Sequence, residues 1–188
     1  MKLSVIMPAY NEAQTIQEIV EKVLAVKMEK EIIIVDDGSR DGTRDYLKTL
    51  QEKDGIVIVF HEKNQGKGAA VRTGIARATG DIIIIQDADL EYDPNDYPKL
   101  VKPIVEDKAE VVYGSRVKGA EFRHKYTLNL FAARLLSVMS NILYGLNLTD
   151  EPTCYKVFKA GIIKPLAFNG NGFEWEPEVT AKLGKKGV

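Results

Sequence analysis

The chain has 188 residues, 45% of them hydrophobic and 28% charged, with a formal net charge of −1. That length and balance suit one globular domain with a sizeable core, and exclude a basic nucleic-acid binder and a disordered acidic tail. The single Cys154 forms no internal disulfide, the start MKLSVIMPAYNE lacks the apolar stretch of a signal peptide, and no window reaches about 18 consecutive apolar residues, so a reducing, cytosolic setting without a membrane span is expected.

In chain order, β-branched runs recur as LSVIM (3–7), EIIIV (31–35), IVIVF (56–60), DIIII (81–85) and EVVYG (110–114), each of which reads as a buried parallel strand. Helical patterns lie between them. Ile16, Ile19, Val20, Val23 and Leu24 follow the i, i+3, i+4, i+7, i+8 spacing, and so do Tyr97, Leu100, Val101, Ile104 and Val105, with Pro94 near the start of the second helix, where its missing N–H costs nothing. Strand alternating with helix predicts an α/β fold, a doubly wound sheet without linker or repeat.

The residues that follow the strands carry the polar motifs: PAYNE, DDGS, HEKNQGKG, QDADLE and GSR, in that order. In an open α/β sheet the carboxyl ends of the strands form the ligand crevice, so all five are expected on one edge.

Each motif also has an ordinary reading. Asp87-Ala88-Asp89 is by itself as consistent with a solvated turn or a helix cap as with a site, but beside the other loops its two carboxylates suit a hard divalent cation that keeps positions open for phosphate oxygens. An EF-hand is excluded, because Tyr92 stands where that loop needs Gly and Pro98 where it needs Glu. NQGKGAAVRTG (64–74) has neither the phosphate-loop spacing nor, with Val71 in the third glycine position, the dinucleotide fingerprint. What remains is close backbone approach at Gly66 and Gly68 and the charge of Lys67 near a helix N-terminus, a place that favours anions. In VDDGSRDGT, Asp36 or Asp37 is a candidate acceptor for a base or ribose, although turn and capping chemistry explains the string equally well. His61 and His124 have no partner at metal-ligand spacing and read as packing or surface residues; Cys154 reads as a buried small hydrophobe.

Taken together these strings resemble family-2 glycosyltransferases of the GT-A fold, and in particular the polyprenyl-phosphate branch, the dolichyl-phosphate mannose or glucose synthase-like enzymes. The resemblance rests on SVIMPAYNE, EIIIVDDGSRDGT, NQGKGAAVRTG, QDADLEYDPNDYPKL, VVYGSR, LTDEPTCYKVF and FEWEPEVTAKL, in the family's order along nearly the whole chain. It implies one catalytic domain over 1–188, with a Rossmann-like nucleotide-sugar-binding half (1–115) and an acceptor-side half (116–188). It also implies that Pro8, Ala9, Tyr10, Glu12 and Asp37 hold the nucleotide. Lys67 and Asp87, Ala88 and Asp89 lie at the sugar diphosphate, and Asp87 and Asp89 bring Mg²⁺ or Mn²⁺ to it. Glu91 matches a position where such synthases often carry a Gln metal ligand. Arg116 and Arg134 match basic residues facing the diphosphate or the acceptor phosphate, and Asp150 and the glutamates of FEWEPE lie on the acceptor side. Such enzymes usually continue past the AKLGKKG helix, so further residues after Val188 are expected.

The implied reaction moves a hexose, with inversion, from a UDP- or GDP-linked donor, with Asp89, Arg116 and Asp150 as the catalytic candidates. An acceptor lipid phosphate is already anionic and needs no strong base, whereas a sugar hydroxyl needs a carboxylate such as Asp150 or Glu176 to take its proton. Residues 128–146 bear on that choice. At helical spacing Arg134, Ser137, Asn141 and Tyr144 share one face and Phe131, Leu135, Val138 and Ile142 another, which fits a core helix or one lying at a membrane surface. Arg123, His124 and Lys125 precede it as a small basic cluster. The expectation is a polyprenyl-phosphate acceptor with peripheral contact at the cytoplasmic face of a membrane, and no nucleic-acid partner. Transfer to a saccharide hydroxyl, a nucleotidyltransferase and a silent nucleotide-binding module remain open alternatives.

Overall fold

A computed structural model describes the backbone of residues 1–116 and 127–188, with side chains over 1–116 and 133–188. Arg123, His124, Lys125 and the side chain of Phe131, invoked above, lie outside these residues.

The branched runs form β1 (Leu3–Ala9), β2 (Lys30–Asp36), β3 (Ile56–Phe60), β4 (Ile82–Ile85) and β5 (Val111–Tyr113); a further strand, β6, spans Lys156–Lys159. The sheet order is β3-β2-β1-β4-β6-β5. β1 pairs in parallel with β2 and β4, and β2 with β3. β6 runs antiparallel to both β4 and β5. The sheet is therefore mostly parallel, as expected, but EVVYG departs from the expectation of a buried parallel strand. Only Val111–Tyr113 of it is extended, it is half-buried, and it is an edge strand bonded antiparallel to β6. No pattern in the sequence announces β6.

Side-chain alternation assigns the helices to two faces. Val5, Met7, Ile32, Ile34, Ile82 and Ile84 point to one side, where they meet α1 (Ile16–Ala25), α2 (Thr43–Lys48) and α4 (Tyr97–Val105). Ile6, Ile33, Val35, Ile83 and Ile85 point to the other, where they meet α3 (Lys67–Arg77), α6 (Ala160–Ile163) and α7 (Trp175–Lys186). α1 buries Ile16, Ile19, Val20 and Val23 of the five residues its periodicity selects, with Leu24 partly buried. α4 follows a 3₁₀ turn, Pro94–Asp96, whose cap is the Asp93 carboxylate accepting from Asn95 N–H at 3.0 Å. α5 (Thr127–Tyr144) packs against α7. Among the described residues no helix is long and apolar enough to cross a membrane.

β2 and β3 follow on one side of β1 while β4 lies on the other, so the strand order reverses between β1 and β4. A crevice at the carboxyl ends of those two strands is the position the topology prepares for a ligand.

Candidate functional site

β1 ends in Pro8 and Ala9, and the chain turns at Tyr10 and at Asn11, whose φ of 56° is a left-handed conformation that Asn tolerates. The turn is pinned to the loop after β2: Asn11 N–H donates to Ser39 Oγ (2.9 Å), Arg40 N–H to Asn11 Oδ1 (2.9 Å), and Glu12 N–H to Thr43 Oγ1 (2.8 Å). Tyr10 is left 45% exposed at the rim.

The two aspartates of DDGS do different work. Asp36 is fully buried and accepts from Arg44 Nε at 2.8 Å, so it is a structural anchor. Asp37, almost as buried, accepts from Gln65 N–H (3.0 and 3.1 Å) and Gly66 N–H (2.7 Å) and bonds His61 Nδ1 at 2.7 Å. His61 is in turn bonded through Nε2 to Thr73 Oγ1 (3.0 Å), so it is a buried packing histidine. Asp37 therefore shapes the glycine-rich loop that leads into α3.

That loop also needs its glycines. Gly66 has φ of 100°, and a Cβ on either Gly66 or Gly68 would collide with backbone of the 170–172 segment. Lys67, the first residue of α3, extends across the carboxyl end of β4. Its Nζ donates to Asp87 (2.9 Å to Oδ1, 3.0 Å to Oδ2) and to Glu176 Oε1 (3.1 Å). Burial works against this ammonium, yet the two carboxylates outweigh burial and hold its pKa above the usual lysine value.

Asp87, Ala88 and Asp89 follow β4, with Ala88 buried and both aspartates half-buried at the cavity. The strand end is braced from below. Gln86 is fully buried, receives the hydroxyls of Tyr97 (2.7 Å) and Tyr155 (2.9 Å) on Oε1, and donates from Nε2 to Asp87 O at 3.0 Å. Burial first, then the charges of Asp87, Glu91 and Glu12, push the Asp89 carboxyl up to about 6.

Across the crevice, Arg116 forms a fork with Asp150, Nε to Oδ2 at 2.8 Å and Nη2 to Oδ1 at 2.9 Å, while Arg116 N–H also donates to Oδ2 at 3.0 Å. Nη2 reaches Pro152 O at 3.1 Å, and Nη1 has no partner among the described residues. Asp150, a catalytic candidate and one of the two carboxylates considered as a base for a hydroxyl acceptor, is buried and engaged by Arg116. Arg134 is exposed on α5 and does not line the cavity, which takes Leu136 from that helix instead.

These side chains enclose a cavity of about 510 Å³ lined by Lys67, Asp87, Asp89, Glu91, Arg116 and Glu176, together with Tyr92, Leu136, Pro152, Cys154, Phe173, Glu174 and Pro177. Sequence reading did not single out the latter group's Leu136, Pro152 or Phe173. Pro8, Ala9, Tyr10, Glu12 and Asp37 are not part of its wall; they lie at the end of β1 and in the loops after β1 and β2. Behind Glu176 lies Lys156, fully buried, donating to Glu151 O and Thr153 O at 2.7 Å each and 4.0 Å from Glu176 Oε2. Burial lowers its pKa, so its charge depends on those partners.

Hard carboxylate oxygens suit Mg²⁺ or Mn²⁺. Among the described residues no three His, Cys, Asp or Glu side chains converge as a ready-made ligand set. Asp87, Asp89 and Glu91 are therefore not a closed triad. Asp87 and Asp89, half-buried at the cavity with hard oxygen donors, fit a divalent cation and would be the residues to hold it.

The chain is similar to several known proteins. Relatives include the UDP-N-acetylglucosamine–dolichyl-phosphate N-acetylglucosaminyltransferase of Methanococcus voltae, 32% identical over 179 residues (86% of this chain, 71% of that one). The dodecaprenyl-phosphate galacturonate synthase of Rhizobium johnstonii is 30% identical over 187 residues (94% and 53%). Glucosyl-3-phosphoglycerate synthase from Mycobacterium tuberculosis, solved with Mn²⁺, UDP and phosphoglyceric acid, superposes with a TM-score of 0.77 at 21% identity, over 98% of this chain and 64% of that one. The chain thus spans about half the length of the Rhizobium relative. The family described as glycosyl transferase family 2 matches residues 4–166, and with a GT-A sheet beneath these loops the chain belongs to that family.

Proposed function

We propose that this chain is the catalytic domain of a metal-dependent transferase that moves a sugar from a UDP- or GDP-linked donor to a polyprenyl phosphate, inverting the anomeric carbon. The observation that carries the reading is the meeting of Asp87, Asp89, Lys67 and Arg116 around one cavity at the end of β4. Two carboxylates, an ammonium and a guanidinium are the groups that bind a diphosphate and stabilise the charge growing on it as the glycosidic bond breaks. A Mg²⁺ or Mn²⁺ held by Asp87 and Asp89 supplies Lewis-acid stabilisation of that leaving group. The loops of Pro8, Ala9, Tyr10, Glu12 and Asp37 carry the nucleoside.

The acceptor assignment draws on the named relatives, two of which act on dolichyl or dodecaprenyl phosphate. Three of the acceptor-side carboxylates are already engaged. Asp150 is gripped by Arg116, Glu176 by Lys67, and Glu178 by Asn169 N–H, Gly170 N–H and Lys182. None of these three stands free to take a proton from a hydroxyl, and a phosphate acceptor asks for none. Contact with the membrane is peripheral in this reading. On α5, Leu135, Val138, Met139, Ile142 and Leu143 form an exposed apolar stripe at i, i+3, i+4, i+7, i+8, next to Leu136 in the cavity wall.

The test is transfer of labelled sugar from UDP-N-acetylglucosamine, UDP-glucose or GDP-mannose, with Mn²⁺, to short-chain polyprenyl phosphate or to free saccharides. Label extracted into organic solvent only with the lipid phosphate supports the reading. Efficient transfer to a saccharide hydroxyl overturns it.

A further inference from the structure

Phe173 is 73% exposed, although the segment that carries it is among the most firmly tied in the acceptor half. Asn169 and Gly170 N–H donate to the Glu178 carboxylate (3.0 and 2.7 Å), and Asn171 and Gly172 N–H donate to Glu174 Oε1 (2.9 Å each). The carbonyls of Asn171 and Gly172 accept from Ala69 and Gly68 N–H at 3.2 Å, and Arg72 clasps Phe168 O, Gly170 O and Asn171 Oδ1. A pinned loop thus holds an aromatic ring out to solvent and forgoes the stabilisation that burying it would contribute.

The ring stands at the cavity wall, with Lys67 Nζ 5.4 Å from its centroid and Glu174 and Glu176 beside it. Glu174 Oε2 has no hydrogen-bond partner among the described residues. A hydrocarbon tail seated here would strip water from Lys67 and two carboxylates, which is costly. The residues assigned above to the nucleoside, Pro8, Ala9, Tyr10, Glu12 and Asp37, lie outside this cavity wall. A hexopyranose combines an apolar C–H face, which packs on an aromatic ring, with hydroxyls that donate to carboxylate oxygens.

We propose that Phe173 is a specificity-determining residue, the platform on which the donor's sugar ring rests, with Glu174 Oε2 accepting from one of its hydroxyls. The inference rests on the donor-binding reading above and adds the subsite for the sugar.

The experiment compares wild type with Phe173→Ala, Phe173→Leu and Phe173→Trp. By calorimetry with Mn²⁺, each is given UDP or GDP alone and whichever of UDP-N-acetylglucosamine, UDP-glucose and GDP-mannose the wild type binds most tightly. Removing the ring should weaken the sugar nucleotide roughly five- to tenfold and leave the bare nucleotide within about twofold, with Leu behaving like Ala and Trp restoring affinity. Equal weakening of both ligands, or weakening of neither, overturns the platform while leaving the donor-binding reading intact. A wild type that binds no nucleotide with Mn²⁺ overturns both.

Discussion

Arg116 holds Asp150 through both carboxylate oxygens and a backbone N–H, and Asp150 is almost entirely withdrawn from solvent. That fork fixes the guanidinium plane and leaves Nη1 without a partner among the described residues, so in the proposed reaction Asp150 would act through Arg116. Asp150→Asn, which keeps the shape but loses the charge, should lower kcat/KM by about one to two orders of magnitude and cost roughly 1–3 kcal/mol of stability. Because no proton passes through Asp150, the pH profile of the residual activity should keep its wild-type shape. Loss of an acid limb in the variant would restore the base role.

Asp89 titrates near 6, above an aspartate's ordinary value, because burial and neighbouring carboxylates oppose its charge. The sign follows. Its ionised form costs the metal-free fold stability above about pH 6, and that cost fades as pH falls toward the unfolded value of about 3.9. Asp89→Asn should therefore melt at or above wild type at pH 7.5 without metal, the difference shrinking by pH 4.5. The same variant should lose the Mn²⁺-dependent rise in Tm and most turnover, and the wild-type rise should weaken below pH 6, where protons compete. A variant that keeps its Mn²⁺ response removes Asp89 from the metal site.

Much of this was legible in the chain, for reasons that particular residues make plain. Ile82–Ile85 reads as a buried strand because four branched side chains have no other stable home, and the carboxylates that follow are fixed at its end by that burial. β6 was illegible. Lys156 sits inside it, fully buried, its ammonium satisfied by two carbonyls that no spacing rule predicts. The pairing of Arg116 with Asp150, 34 residues apart, and of Asp37 with His61, 24 apart, is likewise set by topology, so residues named singly were found already engaged with each other. Phe173 gave no signal because a lone aromatic after a glycine-rich loop has no period.

Gln86 tests whether rigidity beneath the metal carboxylates matters. Gln86→Leu would leave the buried Tyr97 and Tyr155 hydroxyls without their acceptor and Asp87 O without its donor. A loss of roughly 2–4 kcal/mol is expected from stranding these groups. Tyr97→Phe, which removes one bond and strands no hydroxyl, should cost about 1 kcal/mol and leave Mn²⁺ affinity nearly unchanged. Urea melts and Mn²⁺ titrations on both variants separate the two effects; equal losses would argue against Gln86 as the shared acceptor.

Glu31 lies near the amino end of β2, at the end of the sheet away from the cavity. Burial opposes its charge, but Lys2 Nζ (2.7 Å), Ser4 Oγ (2.5 Å) and the Thr79 N–H and hydroxyl together outweigh burial and bring its pKa down to about 2. A depressed carboxylate contributes stability that is present above its unfolded value and lost as pH falls toward the folded one. Between about pH 4.5 and 2 the wild type should lose this contribution, and Glu31→Gln, which never has it, should show a flatter decline in Tm over that window. Parallel curves would mean that the network around Glu31 adds nothing to acid stability.

The exposed stripe of α5 offers a test of the lipid side that needs no turnover. Leu135, Val138, Met139, Ile142 and Leu143 stand about half to three-quarters exposed, at 51, 51, 49, 77 and 66%. Exposed apolar side chains in such a contiguous row are informative in a way that a single exposed leucine is not. Among the described residues both side chains are largely exposed, so Ile142→Glu and Leu143→Glu should each change stability by less than about 0.5 kcal/mol. If the stripe lies on a bilayer, each charge must be drawn out of the lipid boundary, and sedimentation with vesicles containing anionic phospholipid should fall by roughly tenfold or more for the double variant. Nucleotide and Mn²⁺ affinity should not move, since neither residue lines the cavity. Unaltered vesicle binding by the folded double variant would take α5 away from the membrane and leave its apolar row to a protein contact.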